Sequence, residues 1–350
     1  MKLLIITQKI DKNDDVLGFF HKWVEEFSRH TEKIYVISQF VGDYDLPANV
    51  EVFSLGKERG FSKIRQLFNF YKLLFKVLPK CSKVFVHMIP LWVVLGDLVF
   101  KIYKKEVYLW YTHKSVNLVL RLAEKIVVKI FTASKESFRL PSKKVVITRH
   151  GIDTDKFKIK NLKSQINSEI KNSKFKIITV GRIAPAKNID LLIGVGEALK
   201  KEGVEFEIDI AGKPAVEKDE IYFGKLKKLV NDKNLSENVK FVGSIPYSKI
   251  EEFYQKGDLF VNLSSTGSVD KAVLEAMSCG LDVLVANEAF FGMLPEENIS
   301  KNKDIRDIVD KMVYLRNNPN KERGLAMRNI VTKHHSLQNL ASLIIQKMEG

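Results

Sequence analysis

Short apolar runs alternate with amphipathic stretches along the whole chain. In the first half, runs rich in Val, Ile and Phe predict strands at Leu3–Ile6, Ile34–Ser38, Val50–Phe53, Val84–His87, Val107–Trp110, Lys129–Ala133 and Val145–Thr148. Between several of them, apolar residues recur at helical spacing, as in Phe19–Arg29 and Ser62–Leu78. Strand, helix and strand in this order predict a parallel sheet covered by helices.

A polar segment, Lys156–Lys174, interrupts the pattern and reads as a linker. The alternation restarts at Phe175–Val180, followed by Asp190–Lys201, Phe206–Ala211, Tyr222–Asn231, Val239–Val242, Lys249–Lys256, Leu259–Leu263, Lys271–Cys279 and Val283–Ala286. The pattern therefore predicts two doubly wound α/β domains, residues 1–160 and 161–334. The last amphipathic stretch, Leu337–Met348 within residues 335–350, is free to pack on either and is assigned to completing the first. Ligands of such sheets bind beyond the strand C-termini, and two such crevices facing each other form a cleft.

Composition narrows the class. Hydrophobic residues at 45% and charged residues at 28% of 350 exclude wholesale disorder. Two cysteines, Cys81 and Cys279, are too few for a disulfide framework or a four-thiolate zinc site, as suits a reducing compartment. The N-terminal MKLLIIT reads as a buried strand rather than a targeting segment. The apolar stretch from Val84 to Phe100 is interrupted by His87, Pro90 and Asp97 and is short for a membrane span of about 20 residues. The expected compartment is the cytoplasm.

The net charge is +15, and it is unevenly placed. Residues 1–160 hold 29 basic and 16 acidic residues, whereas residues 161–350 hold 28 and 26. A balance this basic admits nucleic acid, an anionic membrane or a phosphorylated substrate as partner.

Two loops carry candidate chemistry. Gly181, Arg182 and Lys187 follow the strand ending at Val180. An arginine fork and a lysine point charge at a strand end suit a diphosphate, and equally suit a solvated loop. The second loop, Ser264 to Asp270, leads into the helical stretch containing Lys271 and Glu275. Its small residues present backbone N–H groups to an anion, while Glu275 on a largely apolar face suits ribose hydroxyls; alternatively Asp270 is a helix-terminal charge and Glu275 is exposed.

Together these segments resemble a known family. Gly181-Arg182 with Lys187, Phe241-Val242-Gly243-Ser244-Ile245-Pro246, Asp258 to Ser264 and Leu274-Glu275-Ala276-Met277-Ser278-Cys279-Gly280 occur in the order seen in the donor half of the group-1, family 4 retaining GT-B glycosyltransferases. Thr132 to Ser137 and Arg149 to Phe157 resemble that family's segments leading into the linker. The resemblance implies a GT-B fold, two Rossmann-like domains facing each other across a cleft. It also implies hexosyl transfer from a UDP- or GDP-linked sugar to an acceptor hydroxyl with retention of configuration.

Carried over residue by residue, the resemblance implies that Arg182 and Lys187 bind the donor diphosphate beside Gly181 and that Glu275 holds the ribose. Ile245 would lie against the nucleobase, and the amides of Ser268, Val269, Asp270 and Lys271 would face the donor. His113, after the strand ending at Trp110, resembles the family's histidine that touches the donor sugar, and Gly18 a backbone contact. Gly267 stands where the family has the first Glu of its Glu-x7-Glu motif, and Ala186 replaces an acid often found before the lysine. No metal or other cofactor is implied, because side-chain cations neutralise the leaving group. A nucleotide-sugar epimerase and a non-catalytic nucleotide-sugar-binding protein are the alternatives.

The basic excess then calls for its own reading. Residues 61–105 carry nine basic residues and one acid. Leu67, Tyr71, Leu74 and Leu78 share a core-facing spacing, leaving Phe68 and Phe75 beside Lys72 and Lys76. That edge suits the headgroup region of an anionic membrane, on the inner face of the cell membrane, or a solvated surface. An acceptor that is lipid-linked or part of a surface glycan would fit it. No RNA-recognition motif accompanies the charge, so nucleic acid is not expected as a partner.

Overall fold

The computed structural model describes residues 1–113, 115–159 and 174–350. They form two units: Met1–Gly151 with Pro246–Ser248 and Ser336–Gly350, and Ile152–Ile245 with Lys249–His335.

The first unit is built on seven parallel strands: β1 (Lys2–Ile10), β2 (Lys33–Val41), β3 (Val50–Ser54), β4 (Lys83–His87), β5 (Glu106–Trp110), β6 (Lys129–Thr132) and β7 (Val145–Ile147). Their order is β3-β2-β1-β4-β5-β6-β7. Side chains alternate between two apolar layers, as the pleat requires. Leu4, Ile6, Val84, Val86, Val107 and Leu109 enter one core, while Leu3, Ile5, Phe85, Tyr108 and Trp110 enter the other.

The first layer is covered by α2 (Lys63–Val77), α3 (Pro90–Ile102) and α4 (Leu118–Ile126), the second by α1 (Gly18–Arg29) and α11 (Leu337–Glu349). Ser62 caps α2, its hydroxyl accepting from the Arg65 amide at 3.3 Å. Pro90 divides the long apolar run at Val84–Phe100 into strand and helix, because proline suits a first helical turn but not a continuing strand. Among the described residues, no helix is long and apolar enough to cross a membrane.

The second unit carries β8 (Phe175–Val180), β9 (Phe206–Ala211), β10 (Val239–Gly243), β11 (Leu259–Asn262) and β12 (Asp282–Val285), all parallel, in the order β10-β9-β8-β11-β12. Around them lie α5 (Ile189–Lys201), α6 (Glu217–Asp232), α7 (Ile250–Tyr254), α8 (Lys271–Ser278), α9 (Ile305–Asn317) and α10 (Lys321–His335). The chain runs outward from β8 through β9 to β10, then returns to β11 on the other side of β8. The C-terminal ends of β8 and β11 therefore form the point where strand order reverses, the usual ligand position in such sheets.

Three sequence expectations need correction. Residues 152–159 pack with the second unit instead of the first domain of residues 1–160, and Lys156–Ile159 is not linker. Phe157 is fully buried against the Tyr254 ring, and its carbonyl accepts from Ser278 Oγ and Arg328 Nη1, each at 2.6 Å. The remainder of the expected linker, residues 160–173, lies outside the described residues. Within His150-Gly151, the sequence offers the glycine for permissive backbone. Instead Arg149 holds the left-handed conformation, at φ 65°. Gly151 answers to space, since a Cβ there would stand 2.6 Å from Leu340 Cδ2 on α11.

Candidate functional site

The ends of β8, β9 and β10 each carry a glycine with positive φ: Gly181 (155°), Gly212 (141°) and Gly243 (78°). They are tied in a row, the Gly181 amide donating to Ala211 O and the Gly212 amide to Gly243 O. A Cβ on Gly212 would lie 1.8 Å from the Gly181 carbonyl oxygen, so no side chain fits between these two strand ends. Backbone is thereby left bare where β8 ends. A recess there is lined by Gly181, Arg182, Lys187, Ile210 and Asn262, among others.

Arg182 extends from this loop, its side chain more than half exposed, with Nε 3.6 Å from Asp219 Oδ2. Asp219 itself is fully buried in the first turn of α6. Lys187 ends a short turn after Pro185, and its ammonium donates to both carboxylate oxygens of Asp270 at 3.0 Å. Asn262, the last residue of β11, donates to the same carboxylate at 3.0 Å. The two cations expected to meet a diphosphate thus each face one aspartate, and the four side chains sum to no net charge. Extra attraction for an anion comes from the surrounding N–H groups.

The loop after β11 is the second wall. Ser264 Oγ donates to Thr266 Oγ1 and accepts from its amide, and Asn188 Nδ2 donates to Leu263 O and Ser265 Oγ, tying this loop to the first. Gly267 sits at φ 66°, a conformation that would strain a glutamate, and the position of its missing Cβ lies 3.0 Å from Glu288 Oε1. Ser268 O accepts from Asn287 Nδ2, Val269 is buried, and Asp270 precedes α8.

Lys271 and Glu275 lie four residues apart on α8, so they share one face. Glu275 is 8% exposed and accepts from Tyr254 Oη at 2.8 Å. Burial pushes its carboxyl up to about 7, against the lowering influence of Tyr254, Lys271 and Lys156. Burial likewise holds the Lys271 ammonium well below its usual range. Ile245 is half-buried two residues beyond β10.

In the first unit, Gly18 opens α1 with its amide on Asp14 O. Asp14 organises this turn: its carboxylate accepts from the Val16 and Leu17 amides and pairs with Lys9. That network holds the Asp14 carboxyl below the ordinary value although burial opposes it. His113 is exposed beyond β5, and its Nδ1 accepts from the Ser115 amide at 3.1 Å, which leaves the proton on Nε2 as a donor. His87, at the end of β4, stacks on Phe20 at 3.8 Å and bonds Thr7.

Sequence patterns did not reveal Asp219, Asn262, Tyr254 or Glu288 as neighbours of these residues. A polar Asn262 closing an apolar strand run was the one signal available.

The family model of the group-1 glycosyl transferases matches residues 161–329. This segment belongs to that family. The matched residues contain both strand-end loops and α8. Curated relatives of this chain include the amylovoran biosynthesis glycosyltransferase AmsK of Erwinia amylovora, 29% identical over 46% of this chain and 38% of its own length. Another is the poly(ribitol-phosphate) alpha-N-acetylglucosaminyltransferase of Staphylococcus aureus, 33% identical over 40% of this chain and 28% of its own. The chain thus matches well under half the length of these curated relatives. Among solved structures, Anabaena HepE in complex with UDP and glucose superposes over 100% of both chains, with a TM-score of 0.77 at 15% identity. The architecture of the chain is accordingly the GT-B fold.

Proposed function

We propose that the chain is a retaining glycosyltransferase that moves a hexosyl group from a nucleotide-sugar donor to an acceptor hydroxyl. The observation that carries this reading is the bared backbone of Gly181 and Gly212 beside Arg182 and Lys187 at the strand-order reversal of a group-1 segment. HepE, which shares the fold, is described in complex with UDP and with UDP-glucose, which supports a uridine diphosphate sugar as the first donor to test.

In this reading the acceptor oxygen forms a bond to the anomeric carbon as the bond from that carbon to the diphosphate oxygen breaks. The acceptor proton passes to the departing phosphate. Arg182, Lys187 and the amides of Ser268 to Lys271 stabilise the charge that grows there, which is preorganised electrostatics requiring neither a protein nucleophile nor a metal. Arg182 meets the diphosphate while resting on Asp219. Lys187 is released to it as the Asp270 carboxylate turns towards Asn262 or the sugar.

The Glu275 carboxyl is assigned to the ribose, whose hydroxyls can add to the hydrogen bond it accepts from Tyr254 Oη. Ile245 is assigned to the base, Gly18 to a backbone contact with the donor and the His113 Nε2–H to the donor sugar. The acceptor is a lipid-linked or surface-glycan hydroxyl.

The test is turnover of UDP- and GDP-sugars with a panel of lipid-linked and glycan acceptors, with the product anomer read by NMR. Release of nucleoside diphosphate with a product of the donor's own configuration is expected. Tight donor binding with no turnover on any acceptor, or sugar isomerisation without acceptor, would overturn it.

A further inference from the structure

Eight of the nineteen exposed large apolar side chains among the described residues lie on α2, α3 and α4. These helices cover the same layer of the first sheet, so their outer sides form one continuous face. On α2, Ile64, Phe68 and Phe75 are 69%, 72% and 52% exposed. At 100° per residue they fall within an arc of about 40°, and Arg65, Lys72 and Lys76 fall within an adjoining arc of about 40°. The same spacing aligns Leu91, Leu98 and Ile102 on α3, and Leu118 and Leu122 beside Arg121 and Lys125 on α4.

The face is held rigid from within. Tyr71 Oη on α2 donates to Leu95 O on α3 at 2.8 Å, and the Phe70 and Trp92 rings meet at 4.4 Å. Phe75 packs edge-on against Tyr103 at the end of α3. The two acids on these helices are engaged, Asp97 with Lys101 and Glu124 with Ser142. An ordered surface that exposes Phe, Leu and Ile in rows beside bases of a single sign is unusual for water-facing helices.

We propose that the outer face of α2, α3 and α4 docks on an anionic lipid bilayer. The apolar rows enter the boundary between headgroups and acyl chains, and Arg65, Lys72, Lys76, Arg121 and Lys125 meet the lipid phosphates. Charge decides the occupant. A two-fold copy of this chain would set bases against bases, whereas an anionic bilayer complements them. The proposal stands apart from the loops assigned to the donor diphosphate, which belong to the second unit.

The experiment is co-sedimentation of the full chain with vesicles of phosphatidylcholine, alone or mixed with phosphatidylglycerol. Three proteins are compared: the natural sequence, R65Q/K72Q/K76Q and F68S/F75S/L98S. All six substituted side chains are exposed, so both variants are expected to stay folded, with small losses from the Phe75–Tyr103, Arg65–Phe61 and Lys76–Phe53 contacts, and to bind UDP unchanged, separating this test from that of the donor site. The natural protein is expected on the mixed vesicles at low salt, released by added salt. At about five-fold per base, the charge variant loses roughly a hundred-fold in partitioning; the apolar variant loses at least about ten-fold. No binding to the mixed vesicles at low salt, or binding that neither variant weakens, would overturn the proposal. So would a dimer of the natural protein that F68S/F75S/L98S converts to monomer, which would assign the face to a second copy.

Discussion

Glu275 offers the sharpest link between burial and a measurable quantity. Its carboxyl, 8% exposed on α8, is moved from an ordinary 4.5 to about 7, with burial as the largest cause. The folded protein therefore holds this proton more tightly than the unfolded chain. The associated stability is fully present below about pH 4.5 and is lost as pH rises through 7. At about 1.36 kcal/mol per ten-fold change in proton affinity, the whole effect is roughly 3 kcal/mol, of which roughly 2.5 kcal/mol falls between pH 5 and pH 8.

Glu275→Gln removes the titration and keeps an oxygen to accept from Tyr254 Oη. Urea unfolding of both proteins at pH 5 and pH 8 isolates the contribution of Glu275 and its coupling to Lys271, because titrating groups that do not interact with Glu275 cancel in the difference. The variant is expected to gain about 2.5 kcal/mol relative to the natural protein on going from pH 5 to pH 8. Identical pH dependence in the two proteins, or a natural protein that gains on the variant as pH rises, would refute the reasoning.

Two further predictions concern the second sheet. Gly212→Ala places a Cβ 1.8 Å from the Gly181 oxygen and should cost about 3 kcal/mol or more, whereas Gly60→Ala, also at positive φ but with nothing within 4 Å, should cost only about 1 kcal/mol. Equal losses in denaturant unfolding would contradict the steric account of the glycine row. Arg323 on α10 makes two 2.7 Å bonds to Asp282 at the start of β12, and both side chains are largely buried. Asp282→Asn should therefore cost about 3–5 kcal/mol by stranding the guanidinium, and a loss under about 1 kcal/mol in the same assay would show the pair to be dispensable.

Much of the fold was legible because strand and helix periodicities differ and this chain keeps them apart. The run Leu3–Ile6 and the helix Phe19–Arg29 emerge within a few residues of their observed bounds, as does Phe175–Val180. The domain boundary was less legible, since the burial of Phe157 depends on Tyr254 and Arg328, far along the chain. Arg182, Lys187 and Glu275 stood out as chemistry-bearing residues at strand ends. Asp219 and Tyr254 did not, and Asp270 stood out without its pairing to Lys187, because contacts across 37, 21 and 83 positions leave no local periodicity. The left-handed backbone at Gly267 was equally hidden: the absence of a glutamate was visible, but the approach of Glu288 to that place was not.

The central claim is that the loop after β8 grips the donor diphosphate through Arg182 and Lys187. Calorimetric titration of UDP into the natural protein, Arg182→Ala and Lys187→Ala tests it most directly. Each charge-assisted contact is worth about 1.5–3 kcal/mol, so each substitution is expected to weaken UDP by at least about ten-fold while leaving the unfolding transition in place. UDP affinity unchanged in both variants would contradict the account.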